Sequence, residues 1–215
     1  MGGVGGCCRH TGGSCPGAEA SLNPDSHLSK WDQRHREAET QGSPAQVLLR
    51  NQHLLPSSGK ALDLACGRGA SALLLARSGL ETHAWDFSGV ALERLEEQAR
   101  EEGVRVIAQT RDVVAHPPEA DSFDLILVSF FLERRIVPQL IQALRAGGRI
   151  FYQTFVQDVY LDRGPTSPDW RLERNELLHL FRELQIHYYR EDGVVSAAAS
   201  EVSDLAMLVA SRGEG

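Results

Sequence analysis

No stretch of this chain is apolar for long enough to cross a bilayer. The longest nearly unbroken apolar run, Leu125 to Leu132, falls far short of the roughly 20 residues a helical span requires. The chain therefore reads as soluble, with no membrane partner. Basic residues are scarce as well, 22 against 29 acidic for a net charge of −7, and they form no block. A broad face that tracks nucleic-acid phosphates is not expected, and a small-molecule partner is. Cysteine is sparse: Cys66 stands alone in the body, while Cys7, Cys8 and Cys15 lie in a glycine-rich leader. Nothing suggests a secreted disulfide framework, which points to a reducing, cytoplasmic setting.

The leader has almost no large apolar groups, yet Met1 to Ser26 holds seven of the 20 glycines. Such a stretch cannot bury enough surface to offset its ordering entropy, and it lacks the apolar core of a signal peptide. Residues 1–27 are expected to be a disordered extension, and residues 28–215 a single domain large enough for a substantial core. Cys7, Cys8, His10 and Cys15 match no familiar zinc spacing, so no metal is expected.

What is present centres on Ala61 to Ser71. Ala61 to Ala65 is a short apolar run with Asp63 set into it, Gly67 and Gly69 follow, and a helical pattern begins at Ser71 and stops at Gly79. A strand, a glycine turn and a helix N-terminus bring backbone N–H groups against a nucleotide-like ligand. Gly67 to Ala72 also satisfies the dinucleotide fingerprint G-x-G-x-x-G/A. Asp63 separates the two ligand classes. A pyrophosphate over this turn would be repelled by the carboxylate, whereas the ammonium and sulfonium of S-adenosylmethionine would be attracted.

The segment resembles the first motif of class I S-adenosylmethionine-dependent methyltransferases, D-x-A/G-x-G-x-G, with Asp63, Ala65, Gly67 and Gly69 in its fixed positions and Cys66 inside the turn. The resemblance implies an α/β, Rossmann-like, seven-stranded and mostly parallel sheet in the order 3-2-1-4-5-7-6, its last strand antiparallel, with helices on both faces. It also implies S-adenosylmethionine as cofactor.

Further positions follow from the same comparison. Glu81 to Asp86 is a second strand ending in an acid 23 positions after Asp63, near the offset at which Rossmann-like folds place a ribose-binding carboxylate. Phe87 would stack on adenine, and Ser88, which caps the helix that Gly103 ends, stands with Asp86 and Phe87 among the positions the resemblance implies for cofactor binding. After a third strand, Val104 to Thr110, Asp112 and Val113 stand where the methyltransferase pattern reads the adenine edge. Phe123 to Ser129 is nearly continuously apolar, as a strand covered on both faces should be. Its Ser129 main chain would meet the methionine ammonium, with Phe130 and Phe131 beside it.

Trp31 and Arg36 belong to a segment resembling W-D-x-R-Y/H, which in many small methyltransferases caps the methionine end of the cofactor. Trp31 suits equally well the anchoring of a helix to the core. Helices are expected over 46–55, 135–145 and 176–184, with paired glycines at 147–148 returning the chain into a fifth strand that begins at Gly148. Strands over 186–189 and 205–211 close the chain. A G-P-x-x-P…L-x-x-x-E-L run from Gly164 to Leu177 resembles the tellurite-resistance and thiopurine-type branch. That branch implies a small-molecule acceptor, including soft nucleophiles such as thiols, selenium or tellurium compounds. A NAD-dependent Rossmann oxidoreductase and a noncatalytic S-adenosylmethionine-binding module are the alternatives. No catalytic base is assignable, and monomer and homodimer both stay open.

Overall fold

The structure, a computed structural model, describes residues 32–33, 42–158, 161, 163–193 and 200–214. The leader, Trp31 and Arg36 lie outside them. In chain order the elements are α1 (Gln46–Arg50), β1 (Lys60–Leu64), α2 (Ala70–Arg77), β2 (Glu81–Asp86), α3 (Gly89–Glu102), β3 (Val106–Thr110), β4 (Phe123–Ser129), α4 (Val137–Ala143), β5 (Leu144–Phe155), α5 (Glu176–Leu180), β6 (Gln185–Glu191) and β7 (Leu205–Ser211).

The seven strands form one sheet in the order β3-β2-β1-β4-β5-β7-β6. The first five run parallel, and β7 is antiparallel to both β5 and β6. Alternation along the strands sends side chains to two packed layers. Leu62, Leu64, Ile126, Val128, Ile150 and Tyr152 meet α4 and α5 on one face. Ala61, Leu125, Leu127 and Phe151 meet Leu48 of α1 and Leu75 of α2 on the other, where Leu73 of α2 also packs on Leu92 and Leu95 of α3. Burial on both faces is what a parallel sheet requires, and it explains why β4 and β7 read as near-continuous apolar runs. No helix among the described residues is long and apolar enough to cross a membrane.

Three expected boundaries shift, each for a local reason. The first helix stops at Arg50, and a 3-10 turn over Gln52–Leu54 carries the chain to Pro56. The helix before β5 is a 3-10 turn, Arg134–Ile136, followed by only Val137–Ala143, because Pro138 sits at its first turn and Leu144 already pairs with Phe123. The paired glycines therefore lie inside β5 and do not precede it. The register slips between Phe123 and Leu125, and a Cβ on Gly148 would stand 2.8 Å from the Arg145 carbonyl. The helix expected over 176–184 closes at Leu180, with Phe181 as its C-cap.

Gly69 fixes the approach of two helices. It is the N-cap of α2 with φ of 73°, and a Cβ there would meet Leu95 of α3 at 2.5 Å. Gly69→Ala is expected to cost about 1–2 kcal/mol from the left-handed backbone alone, plus displacement of Leu95. Thermal unfolding without cofactor measures it.

Candidate functional site: the glycine turn at the carboxyl edge of the sheet

Between β1 and α2 the backbone turns through three left-handed residues, Ala65 (φ 55°), Gly67 (φ 54°) and Gly69 (φ 73°). The turn is held from the neighbouring strand. Gly67 N–H donates to Asp86 Oδ2 at 2.7 Å, and Cys66 N–H donates to the Trp85 carbonyl at 3.0 Å. Asp86 also accepts from Ser88 N–H at 2.8 Å through Oδ1. The acid at the tip of β2 thus braces the turn. Asp86→Ala would remove both bonds together. It is expected to weaken cofactor binding by roughly tenfold or more, the loss of one charge-assisted hydrogen bond, as read by calorimetry.

Asp63 lies one strand position inside the tip of β1, level with Leu127 of β4 and Ala84 of β2. It is 1 % exposed and accepts a hydrogen bond from the Ala72 backbone in the first turn of α2, while Oδ1 has no partner among the described residues. Burial pushes its carboxyl up to about 8, with nearby Asp86 adding to the rise and the Ala72 bond opposing it. A buried carboxylate oxygen without a partner is costly unless a donor arrives. The ammonium of S-adenosylmethionine is such a donor, directly or through water. A pyrophosphate offers no donor and adds like charge. The site fits the sulfonium cofactor and not a dinucleotide.

The other expected residues divide clearly. Ser129, the last residue of β4 and one position beyond Val128, which pairs with Leu64 at the tip of β1, is half-buried. Phe87 is half-buried beside Asp86. Asp112 is exposed, and its Oδ1 accepts from Val114 and Ala115 N–H at 2.9 and 3.1 Å, so it shapes its own turn. Val113 packs into the core and has only main chain to offer. Ser88 is fully buried: its hydroxyl caps α3 by accepting from Ala91 N–H at 3.2 Å and donates to Asp32. It holds protein to protein. Cys66 is half-buried, and burial, Asp63 and Asp86 raise its thiol well above the usual value, which keeps it protonated.

Several groups here were not singled out in the sequence. Asp32, 28 positions before the start of β1, is tied to Ser88 at the head of α3. Buried Gln153 on β5 accepts from Val47 N–H at 2.8 Å, and Ser71 accepts from Ala45 N–H at 2.9 Å. Together they lay residues 42–47 alongside the turn, where a Cβ on Gly42 would be 3.9 Å from Arg68. A W-D pair was the available signal for Asp32; a lone Gln in an apolar strand carried none.

Among the described residues, no side chain near the end of β5 is set to act as a base. Tyr152 is buried, donates to the Phe131 carbonyl at 2.8 Å, and burial raises its hydroxyl pKa. Glu133 is held below the usual carboxylate range by its bonds to Arg135 and caps the 3-10 turn. Asp158 pairs with Arg174 at 2.9 Å on the rim of a cavity of about 280 Å³ lined by Val156, Gln157, Leu172, Glu173 and Glu191. Arg163 pairs with fully buried Asp204 at 3.0 Å.

Residues 61–150 match a methyltransferase domain family. A demethylmenaquinone methyltransferase of Clavibacter sepedonicus is 38% identical over 100 residues, 42% of this chain and 39% of that protein. The Haemophilus influenzae protein named probable S-adenosyl-L-methionine-dependent methyltransferase TehB is 26% identical over 142 residues, 62% of this chain and 48% of that one. The crystal structure of TehB superposes with a TM-score of 0.64 at 20% identity, covering 85% of this chain and 67% of that chain. The aligned part of this chain thus spans less than half the length of these curated relatives. Fold, turn and comparisons agree that the chain resembles class I S-adenosylmethionine-dependent methyltransferases, TehB among them, and that S-adenosylmethionine is the cofactor this resemblance implies.

Proposed function

We propose that this chain, whose fold and glycine turn are those of class I methyltransferases, transfers a methyl group from S-adenosylmethionine to a small-molecule acceptor. The observation that carries the reading is the buried Oδ1 of Asp63, which has no partner among the described residues, beneath a turn of left-handed residues. In this reading Asp63 holds the methionine ammonium and the turn's backbone cradles the same end. Asp86 takes the ribose hydroxyls, Phe87 stacks on the adenine, and Asp112 with the Val113 main chain reads its edge. Ser129 contributes main chain at the methionine end. Trp31 and Arg36 are proposed to close over that end.

The bound cofactor supplies a methyl group already activated on sulfonium. The protein's part is to align the acceptor in line with it and exclude water, effects worth up to roughly 7–11 kcal/mol. The absence of a poised base among the described residues near β5 supports an acceptor that attacks unaided, such as a thiolate or another soft nucleophile. Calorimetry with S-adenosylmethionine and with NAD tests the assignment. Micromolar binding of the methyl donor and none of NAD is expected, and the reverse result would overturn it.

A further inference from the structure

Phe130 holds a conformation that its residue type disfavours. It follows β4 directly, its φ is 56°, and its ring is 51 % exposed. A bulky side chain in the left-handed region costs about 1–2 kcal/mol, and a half-exposed ring recovers little of that by burial. The backbone is pinned: Phe130 N–H donates to the Gln153 carbonyl at 2.9 Å, and Gln153 is itself locked to α1. The strain therefore fixes where the ring points.

The ring is not isolated. Its centroid lies 5.1 Å from that of Phe155, at the end of the adjacent strand, with planes inclined by 36°. Phe155 is wedged from behind. A Cβ on Gly164 would stand 2.8 Å from its ring, and the Arg171 guanidinium lies 5.4 Å from its centroid. Arg171 is anchored to three backbone carbonyls of the same loop, and Phe155 cannot retreat. One ring is braced and the other held half in solvent, one residue beyond Ser129 and beside the turn proposed to hold the methionine end.

We propose that Phe130, backed by Phe155, is the surface that selects the methyl acceptor, and that the acceptor presents a flat aromatic face to it. The inference rests on the methyl-transfer reading and adds the class of molecule to it. A π-face stacked on such a pair gains over a saturated ring of equal size, whereas a small inorganic oxyanion gains nothing from it.

The test separates the two claims. The full chain, saturated with S-adenosylhomocysteine, is titrated with thioanisole and with cyclohexyl methyl sulfide, which share the methylated sulfur and differ in the ring. Thioanisole is expected to bind roughly two- to tenfold tighter, although the saturated ring is the more apolar of the two. The preference should persist in Phe130→Trp and vanish in Phe130→Leu, with S-adenosylhomocysteine affinity unchanged in both. Equal affinities in the parent chain, a preference unaltered in Phe130→Leu, or no binding of either sulfide would overturn the aromatic platform while leaving the cofactor assignment intact. Failure of S-adenosylhomocysteine itself to bind would remove the methyl-transfer reading instead.

Discussion

Asp63→Asn is expected to weaken S-adenosylmethionine binding by roughly 100-fold, with the fold intact. Removing one partner of a buried charge pair costs about 2–5 kcal/mol, and 2.7 kcal/mol is a hundredfold in affinity. Asn keeps the shape and an acceptor for the Ala72 bond, so only the charge is lost. Calorimetry gives the affinity, and an unchanged value would sink the role given to this residue.

The same group makes the cofactor-free chain sensitive to pH. Its folded value of about 8 lies above the ordinary 3.8. Between those values the native chain holds a proton that the unfolded chain has released. The group's contribution is therefore fully present below pH 4 and is lost as pH rises toward 8, by at most about 1.4 kcal/mol per unit. Asp63→Asn should flatten that slope in urea unfolding. A bound ammonium favours the carboxylate, so binding near pH 7 should release a proton, and affinity should climb from pH 6 toward 8. Calorimetry in buffers of different ionisation enthalpy counts the proton, and the Asn variant should release none from this site.

Arg171→Met is expected to give the largest loss of stability, about 3 kcal/mol. Arg171 is 5 % exposed, and its guanidinium donates to the carbonyls of Val156 at 2.9 Å, Pro165 at 2.7 Å, and Arg163. Methionine fills much of the volume but leaves three carbonyls without a donor. Each buried orphan costs about 1–3 kcal/mol, less where water can reach it. Those carbonyls belong to the segment that follows β5, so the loop beside Phe155 should loosen while the glycine turn does not. Chemical denaturation should show the loss, and S-adenosylmethionine affinity of the folded variant should stay within about threefold of the parent. A comparable loss of cofactor affinity would show that the loop and the turn are not separate units.

Much of this molecule was legible in advance because its signals are short-ranged. β1, the turn and α2 occupy Lys60 to Arg77, and the apolar run, the carboxylate and the glycines stand within reach of one another along the chain. Asp86 was legible as an acid at a strand tip. That it would brace Gly67 was not, since the bond depends on β2 lying beside β1. Ser88 illustrates the limit from the other side. Its capping role was local and correctly read, whereas its bond to Asp32 spans 56 positions and no local pattern signals it.

The amino-acid pattern by itself determined the alternation of strands and helices, the left-handed turn that only small residues tolerate cheaply, and the placing of an acid beneath it. Through resemblance it also determined the strand order. Tertiary structure alone decided that Asp63 would keep one oxygen without a partner, that Gln153 would hold the start of α1, and that Phe130 would be forced outward in a strained conformation. Those outcomes arise where separate strands meet at one edge, and a linear pattern records what each strand buries but not what its neighbours leave unsatisfied.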